Sequence, residues 1–233
     1  MRIVTSHRSP NFTDLEIPVD FVVLHYTAAS LKRTLEILED KASEVSAHLV
    51  IDRDGTVYEM VPCLDGRPLR AWHAGRSAWV ASVGAEQRTL EAFNDFSLGI
   101  ELVNENGNLF PYTDAQYAAL FAVFERLKAL YPALRKPNAV VGHEQIAGFR
   151  GKVDPGRLFE WQRFFSVVYA GQGMPVREPR CPPLVAERLA GLVQSVGVRW
   201  AAGSSACQVP AALGEAFFEH LSLLLESTMA ERE

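Results

Sequence analysis

Apolar positions recur along this chain in two periods, and the alternation between them predicts its elements. "FVVLHY", residues 21–26, is a short apolar run rich in β-branched side chains and predicts a buried strand. In the following "TAASLKRTLEILED", Leu31, Leu35 and Leu38 recur at helical spacing, which predicts a helix after a short loop. "SAHLVIDRDGTVYEMV" reads as a hairpin, with Asp54-Gly55 as the turn between two apolar segments. "FSLGIELVN" predicts another strand, in which Gly99 marks a close backbone approach. In "TDAQYAALFAVFERLKALYP", Thr113 stands as N-cap and Tyr117, Leu120, Phe121, Phe124, Leu127 and Leu130 share one face, so an amphipathic helix should end at Pro132. "NAVVGHEQI" predicts a last short strand running into a loop. Together these elements predict an α/β domain whose mostly buried sheet is flanked by helices.

After Tyr169 the pattern changes. "AGQGMPVREPRCPP" is dense in Gly and Pro and reads as a linker. Beyond it, helical spacing returns twice, in Leu184 to Val196 and in Leu213 to Leu225, which predicts a small helical hairpin. The expected division is a catalytic domain over residues 1–172 and a linker with a helical extension over 173–233. The hairpin is too small for a robust core of its own and should dock on the main domain or on a partner chain. No known module is assigned to it.

Composition narrows the classes. The 233 residues are 48% hydrophobic and 22% charged, as in ordinary globular proteins. A net charge of −5 supplies no general basic field for nucleic acid. Three widely spaced cysteines make neither a disulfide framework nor a Cys-x-x-Cys metal knuckle. The polar start "MRIVTSHRSPNFTDLEIPVD" shows no apolar core of a secretory signal, and no uncharged apolar run approaches the length of a membrane span. A cytoplasmic protein without a membrane or nucleic-acid partner is the expectation.

Candidate chemistry gathers at strand ends. His25 and His143 each sit at the C-terminal end of a Val-rich strand, where open α/β sheets bind their ligands. Two imidazoles brought together there need one more ligand to hold zinc with a position left open, and Asp154 is the candidate. In "GFRGKVDPG", Lys152 precedes Asp154 by two residues, and Pro155-Gly156 turns the chain behind it. Taken alone, such a Lys-x-Asp reads as a surface ion pair. Glu101 lies in the otherwise apolar "SLGIELV"; it either faces solvent on an alternating strand or serves as the base that a hydrolytic metal site requires. Lys152 would then face a developing oxyanion. His48 is expected to be a buried supporting residue.

Read in order, "VVLHYTA", "VSAHLVIDRDGTVYEMVP", "AWHAGRSAW", "NDFSLGIELVN", "YTDAQYAAL" and "GHEQIAGFRGKVDPG" with the later "FEW" run over about residues 18–165. Each is weak alone; in this order they are specific. The chain resembles the zinc-dependent N-acetylmuramoyl-L-alanine amidases of the type 2 amidase family, which also holds peptidoglycan recognition proteins and phage lysozyme-type amidases. The resemblance implies a central mixed β-sheet flanked by helices, with Zn2+ at the positions matching His25, His143 and Asp154. It implies cleavage of the amide between the lactyl group of N-acetylmuramic acid and L-alanine, with Glu101 moving the proton and Lys152 steadying the oxyanion. Muropeptides are the implied partners. Tyr26, Trp72, His73 and Asn94 are the candidate substrate-binding residues, with "AWHAG" similar to a wall of the family's cleft; plain packing is the other reading of Trp72. Phage-type relatives carry tyrosine before the histidine of "SAH" and lack the strand glutamate. Ala47 and Glu101 here resemble instead the bacterial enzymes that cut anhydro-muropeptides in cell-wall recycling.

Two departures stand out. "AGFRG" makes the stretch from His143 to Lys152 one residue longer than in close relatives, and "VASVGAEQRTLEAF" is a longer insert before "NDFSLGIEL". A fragment-binding module without activity and a lytic amidase acting on intact wall are the alternative functions.

Overall fold

The computed structural model describes residues 1–83 and 86–175, without the side chains of residues 80–88 and 149. The chain opens with strands β1 (Ile3–Val4), β2 (Phe12–Glu16) and β3 (Phe21–Tyr26), followed by helix α1 (Leu31–Glu39). Strands β4 (Leu49–Ile51), β5 (Val57–Glu59) and β6 (Leu69–Ala71) come next, then the paired strands β7 (Ala78–Val83) and β8 (Glu86–Glu91). After β9 (Ser97–Leu102), helix α2 (Asp114–Leu130), strand β10 (Val140–Gly142) and helices α3 (His143–Ala147) and α4 (Trp161–Val168) complete the described chain.

Six strands form the central sheet in the order β1-β5-β4-β9-β3-β10. Strands β3, β9 and β10 run parallel, as do β4 with β9 and β1 with β5, while β4 and β5 form an antiparallel hairpin. The sheet is therefore mixed. Pleating divides its two faces residue by residue. Val22 and Leu24 of β3, Leu98 and Ile100 of β9, and Leu49 and Ile51 of β4 enter one core with the aromatic faces of α2 and α4. Fully burying one such aliphatic side chain stabilises the fold by about 1.5–3 kcal/mol. The intervening positions face the other way, and among them are His25, Glu101, Gly99 and His48.

Helix α2 clamps the first face. Thr113 Oγ1 accepts from the Gln116 backbone N–H at 3.1 Å, and Gln116 Oε1 accepts from the Thr113 N–H at 3.1 Å, forming a capping box. The Gln116 amide also donates to the carbonyls of Val103 and Ile51, tying the helix start to the sheet. Tyr117, Leu120, Phe124 and Leu127 are buried, while Phe121 and Leu130 are partly so. On the opposite face α1 and α3 pack over small clusters, one around Leu38, Val50 and Met60 and one around Val23, Val141 and Ile146. The space between those clusters is the cleft.

Two local outcomes differ from the sequence reading. "GHEQI" does not enter a loop after β10: helix α3 starts at His143, because the Gln145 side chain accepts the Gly142 N–H at 2.8 Å and caps the turn. The insert before β9 forms the β7–β8 hairpin in continuous antiparallel register from Ala78↔Glu91 to Val83↔Glu86. The expected helical hairpin of the C-terminal extension lies outside the described residues. Among the described residues no helix is long and apolar enough to cross a membrane.

Candidate metal centre and cleft

Register brings the site together. β10 pairs with β3 so that Gly142 lies beside Leu24, which places His143, the next residue, near His25 at the carboxyl edge of the sheet. Asp154 arrives from the loop after α3. Its carbonyl accepts the Glu144 N–H at 2.9 Å, the following Pro155 carbonyl accepts the Tyr112 hydroxyl at 2.6 Å, and Gly156 N–H donates to Glu144 Oε2 at 3.3 Å. Gly156, with φ +82°, packs so closely on the backbone of Gly107 and Asn108 that no side chain would fit. These contacts aim the carboxylate.

His25 Nδ1 lies 2.9 Å from Asp154 Oδ2, His143 Nδ1 lies 3.0 Å from the same oxygen, and the two Nδ1 atoms are 3.1 Å apart. All three residues are buried. His143 Nε2 stands 3.3 Å from the Ala74 carbonyl, which can only accept, so that nitrogen donates and Nδ1 keeps its lone pair in the neutral ring. Burial and the neighbouring His143 lower His25 to about 4, so it is a neutral ligand at pH 7. Burial works to raise Asp154, but the neighbouring His143 and His25 outweigh it and hold the carboxyl well below the usual range. Two imidazole lone pairs and one ionised oxygen thus converge on a single point. Such a set could hold a cation, since the candidate ligand atoms all lie within 4.8 Å of one another.

Beside it opens a cleft of about 350 Å³. Glu101 and Lys152 line it with the three ligands, as do Tyr26, Trp72 and His73. Glu101 Oε2 is buried and has no hydrogen-bond partner. Burial, followed by the Asp154 charge, pushes its carboxyl up to about 8, with Lys152 pulling part of the way back. Ile37, Leu38 and Val45 supply an apolar wall that the sequence reading did not single out. Of these, Leu38 was marked by its helical spacing with Leu31 and Leu35 as part of a helix, though not as part of a cleft.

The remaining expected residues fall in different places. Tyr26 is held protonated, its pKa raised first by burial and then by the charge of Asp154. The Trp72 indole N–H donates to Thr13 Oγ1 at 3.3 Å while its backbone N–H donates to Ser46 Oγ at 2.7 Å. Asn94 is not among the residues lining the cleft; its Oδ1 accepts from the backbone N–H groups of His73 and Ala74, at 3.1 and 2.8 Å. His48 is fully buried, accepts the Gly99 N–H at Nδ1 and donates from Nε2 to the Leu69 carbonyl.

The family described as N-acetylmuramoyl-L-alanine amidase (Amidase_2) matches residues 15–157, a span that contains every residue of the site. The chain belongs to this amidase family. It is 44% identical over 124 residues to the 1,6-anhydro-N-acetylmuramyl-L-alanine amidase AmpD of Citrobacter freundii, a match covering 53% of this chain and 57% of that protein. The match thus spans little more than half the length of that curated relative. A crystal structure of a selenomethionine AmpD derivative superposes with a TM-score of 0.52 at 33% identity, covering 72% of this chain and 93% of that one. Escherichia coli AmiD, solved with anhydro-N-acetylmuramic acid-L-Ala-D-γ-Glu-L-Lys, gives a TM-score of 0.54 at 31% identity over 77% of this chain and 66% of that one. The mixed sheet flanked by helices is the amidase fold of these neighbours.

Proposed function

We propose that this chain is a zinc amidase that hydrolyses the bond between the lactyl carbonyl of N-acetylmuramic or 1,6-anhydro-N-acetylmuramic acid and L-alanine. The observation that carries the reading is the convergence of His25, His143 and Asp154 on one point, with the unpartnered Glu101 oxygen in the same cleft. Two imidazole nitrogens and a carboxylate oxygen are the donor set of open catalytic zinc sites. When bound there, zinc supplies Lewis acidity at the scissile carbonyl and a water more acidic than bulk.

Glu101 is poised for proton transfer in both directions. A carboxyl raised to about 8 is a strong enough base to take a proton from the attacking water and a strong enough acid to return it to the departing alanine nitrogen near neutral pH. Lys152 lines the cleft beside Asp154 and provides the positive charge that balances the oxyanion as the carbonyl becomes tetrahedral. The apolar wall of Ile37, Leu38 and Val45 suits the methyl groups of the lactyl and alanyl units and lowers the local dielectric around both charges. Trp72 and Tyr26 bound the cleft where a sugar ring or peptide would lie.

Soluble muropeptides are the favoured substrates, supported by the 1,6-anhydro specificity in the name of AmpD and by the ligand in the AmiD structure. Cell-wall recycling is the role that follows. The test is product identification by mass spectrometry after incubation with an anhydro-muramyl tripeptide. The reading expects free anhydro-muramic acid and a peptide beginning with L-alanine; cleavage at another bond, or none by the zinc-loaded chain, contradicts it.

A further inference from the structure

Behind the two histidine ligands lies a single short segment, 72–76, that touches both. His73 Nε2 is 3.2 Å from the Ser97 carbonyl oxygen. A carbonyl only accepts, so Nε2 carries the ring proton and Nδ1 of a neutral His73 is bare. That bare nitrogen stands 3.2 Å from His25 Nε2, which must therefore donate to it. A neutral His25 that donates from Nε2 has its lone pair on Nδ1, the atom directed at Asp154 and His143. One residue along, the Ala74 carbonyl accepts from Nε2 of His143 and orders that ring in the same way.

The segment is itself held rigidly. Asn94 Oδ1 accepts the N–H groups of His73 and Ala74. Arg150 Nη1 reaches across from the loop after α3 to donate to the carbonyls of Ala74 and Arg76, at 3.2 and 2.8 Å. The His73 ring occupies the space that a side chain at position 99 would need, since a Cβ on Gly99 would lie 2.7 Å from its Nδ1. Gly99 is the close approach in the strand, and His73 is what approaches.

We propose that His73 is a positioning residue that fixes the metal-ligating tautomer of His25, and that Asn94 and Arg150 hold its segment in place to do so. The inference rests on the zinc reading above. Partners of this kind raise the basicity and restrict the rotation of the ligand they touch, and their loss weakens metal binding. His73 is not one of the three residues whose ligand atoms converge on the cation site.

The experiment is zinc affinity of the full chain by competition with a chromophoric chelator, for wild type, His73→Ala and His73→Gln. His73→Ala should bind zinc about 10–100-fold more weakly, whereas His73→Gln, with an oxygen for His25 and an N–H for Ser97, should stay within about threefold of wild type. Wild-type affinity in His73→Ala overturns the inference while leaving the zinc reading intact; a wild type that binds no zinc overturns both. A second readout needs no variant: in ¹⁵N spectra of the zinc-loaded protein, His25 should carry its proton on Nε2. A His25 protonated on Nδ1 instead would end the proposal.

Discussion

His25 and Glu101 are direct Cα partners across the parallel strands β3 and β9. The candidate metal ligand and the candidate base therefore ride side by side on adjacent parallel strands, on the face that α2 does not cover. Neither can shift without the other, because the pleat that buries Leu24 and Ile100 on one side presents this pair on the other.

Glu101→Gln should separate metal binding from turnover. Zinc content should be unchanged, and the rate should fall by about 100-fold or more, the scale of a lost general base. The same variant carries a stability signature. The unfolded carboxyl ionises near 4.5 and the folded one near 8, so the metal-free native state loses stability as pH rises between them. Metal-free Glu101→Gln should thus be more stable than wild type at pH 8, by on the order of 1–3 kcal/mol, and indistinguishable from it at pH 4. Thermal melts at the two pH values decide the matter.

Lys152→Met should retain zinc and lower kcat by about 100-fold with little change in KM, as for loss of one group that stabilises an oxyanion. Metal analysis alongside steady-state kinetics checks both halves. Loss of zinc in this variant would assign Lys152 to holding the Asp154 loop instead.

His48 makes the fold sensitive to acid. Its Nδ1 accepts the Gly99 N–H, so protonation would set two donors against each other. Burial lowers its pKa to about 4 from the ordinary 6.5. Its contribution is present in full above about 6.5 and is lost as pH falls toward 4, by up to on the order of 3 kcal/mol. Denaturant titrations of wild type and His48→Gln across that window should show a shallower pH slope in the variant; equal slopes would contradict the assignment.

Thr113→Ala removes one half of the capping box of α2 and should destabilise the protein by about 1 kcal/mol. The urea midpoint should move while the slope of the transition and the zinc affinity stay as in wild type, since α2 lies across the sheet from the cleft.

The strands that carry the site were legible because they are buried on both faces and read as unbroken apolar runs. "FVVLHY" corresponds to β3 residue for residue, and Thr113 caps α2 as its spacing implies. Gly99 announced a close approach without naming its partner, because nothing local links it to His73, distant in sequence and adjacent only after folding. Asn94 shows the same limit: its proximity to the site is real, but its side chain serves the backbone of residues 73–74. The start of α3 at His143 escaped notice because the cap comes from a glutamine two residues downstream and not from a Ser, Thr or Asp before it. The β7–β8 hairpin was missed because its pairing is set by the partner strand, with no Asn-Gly or Asp-Gly turn to mark it.

The measurement that bears most directly on the account is release of L-alanine-headed peptide from soluble anhydro-muropeptide and from purified sacculi, each with zinc and with chelator. The expected result is chelator-sensitive cleavage of the soluble substrate, with sacculi cut slowly or not at all. Cleavage that persists after the metal is stripped, or a zinc-loaded chain that binds the muropeptide and leaves it intact, would contradict it.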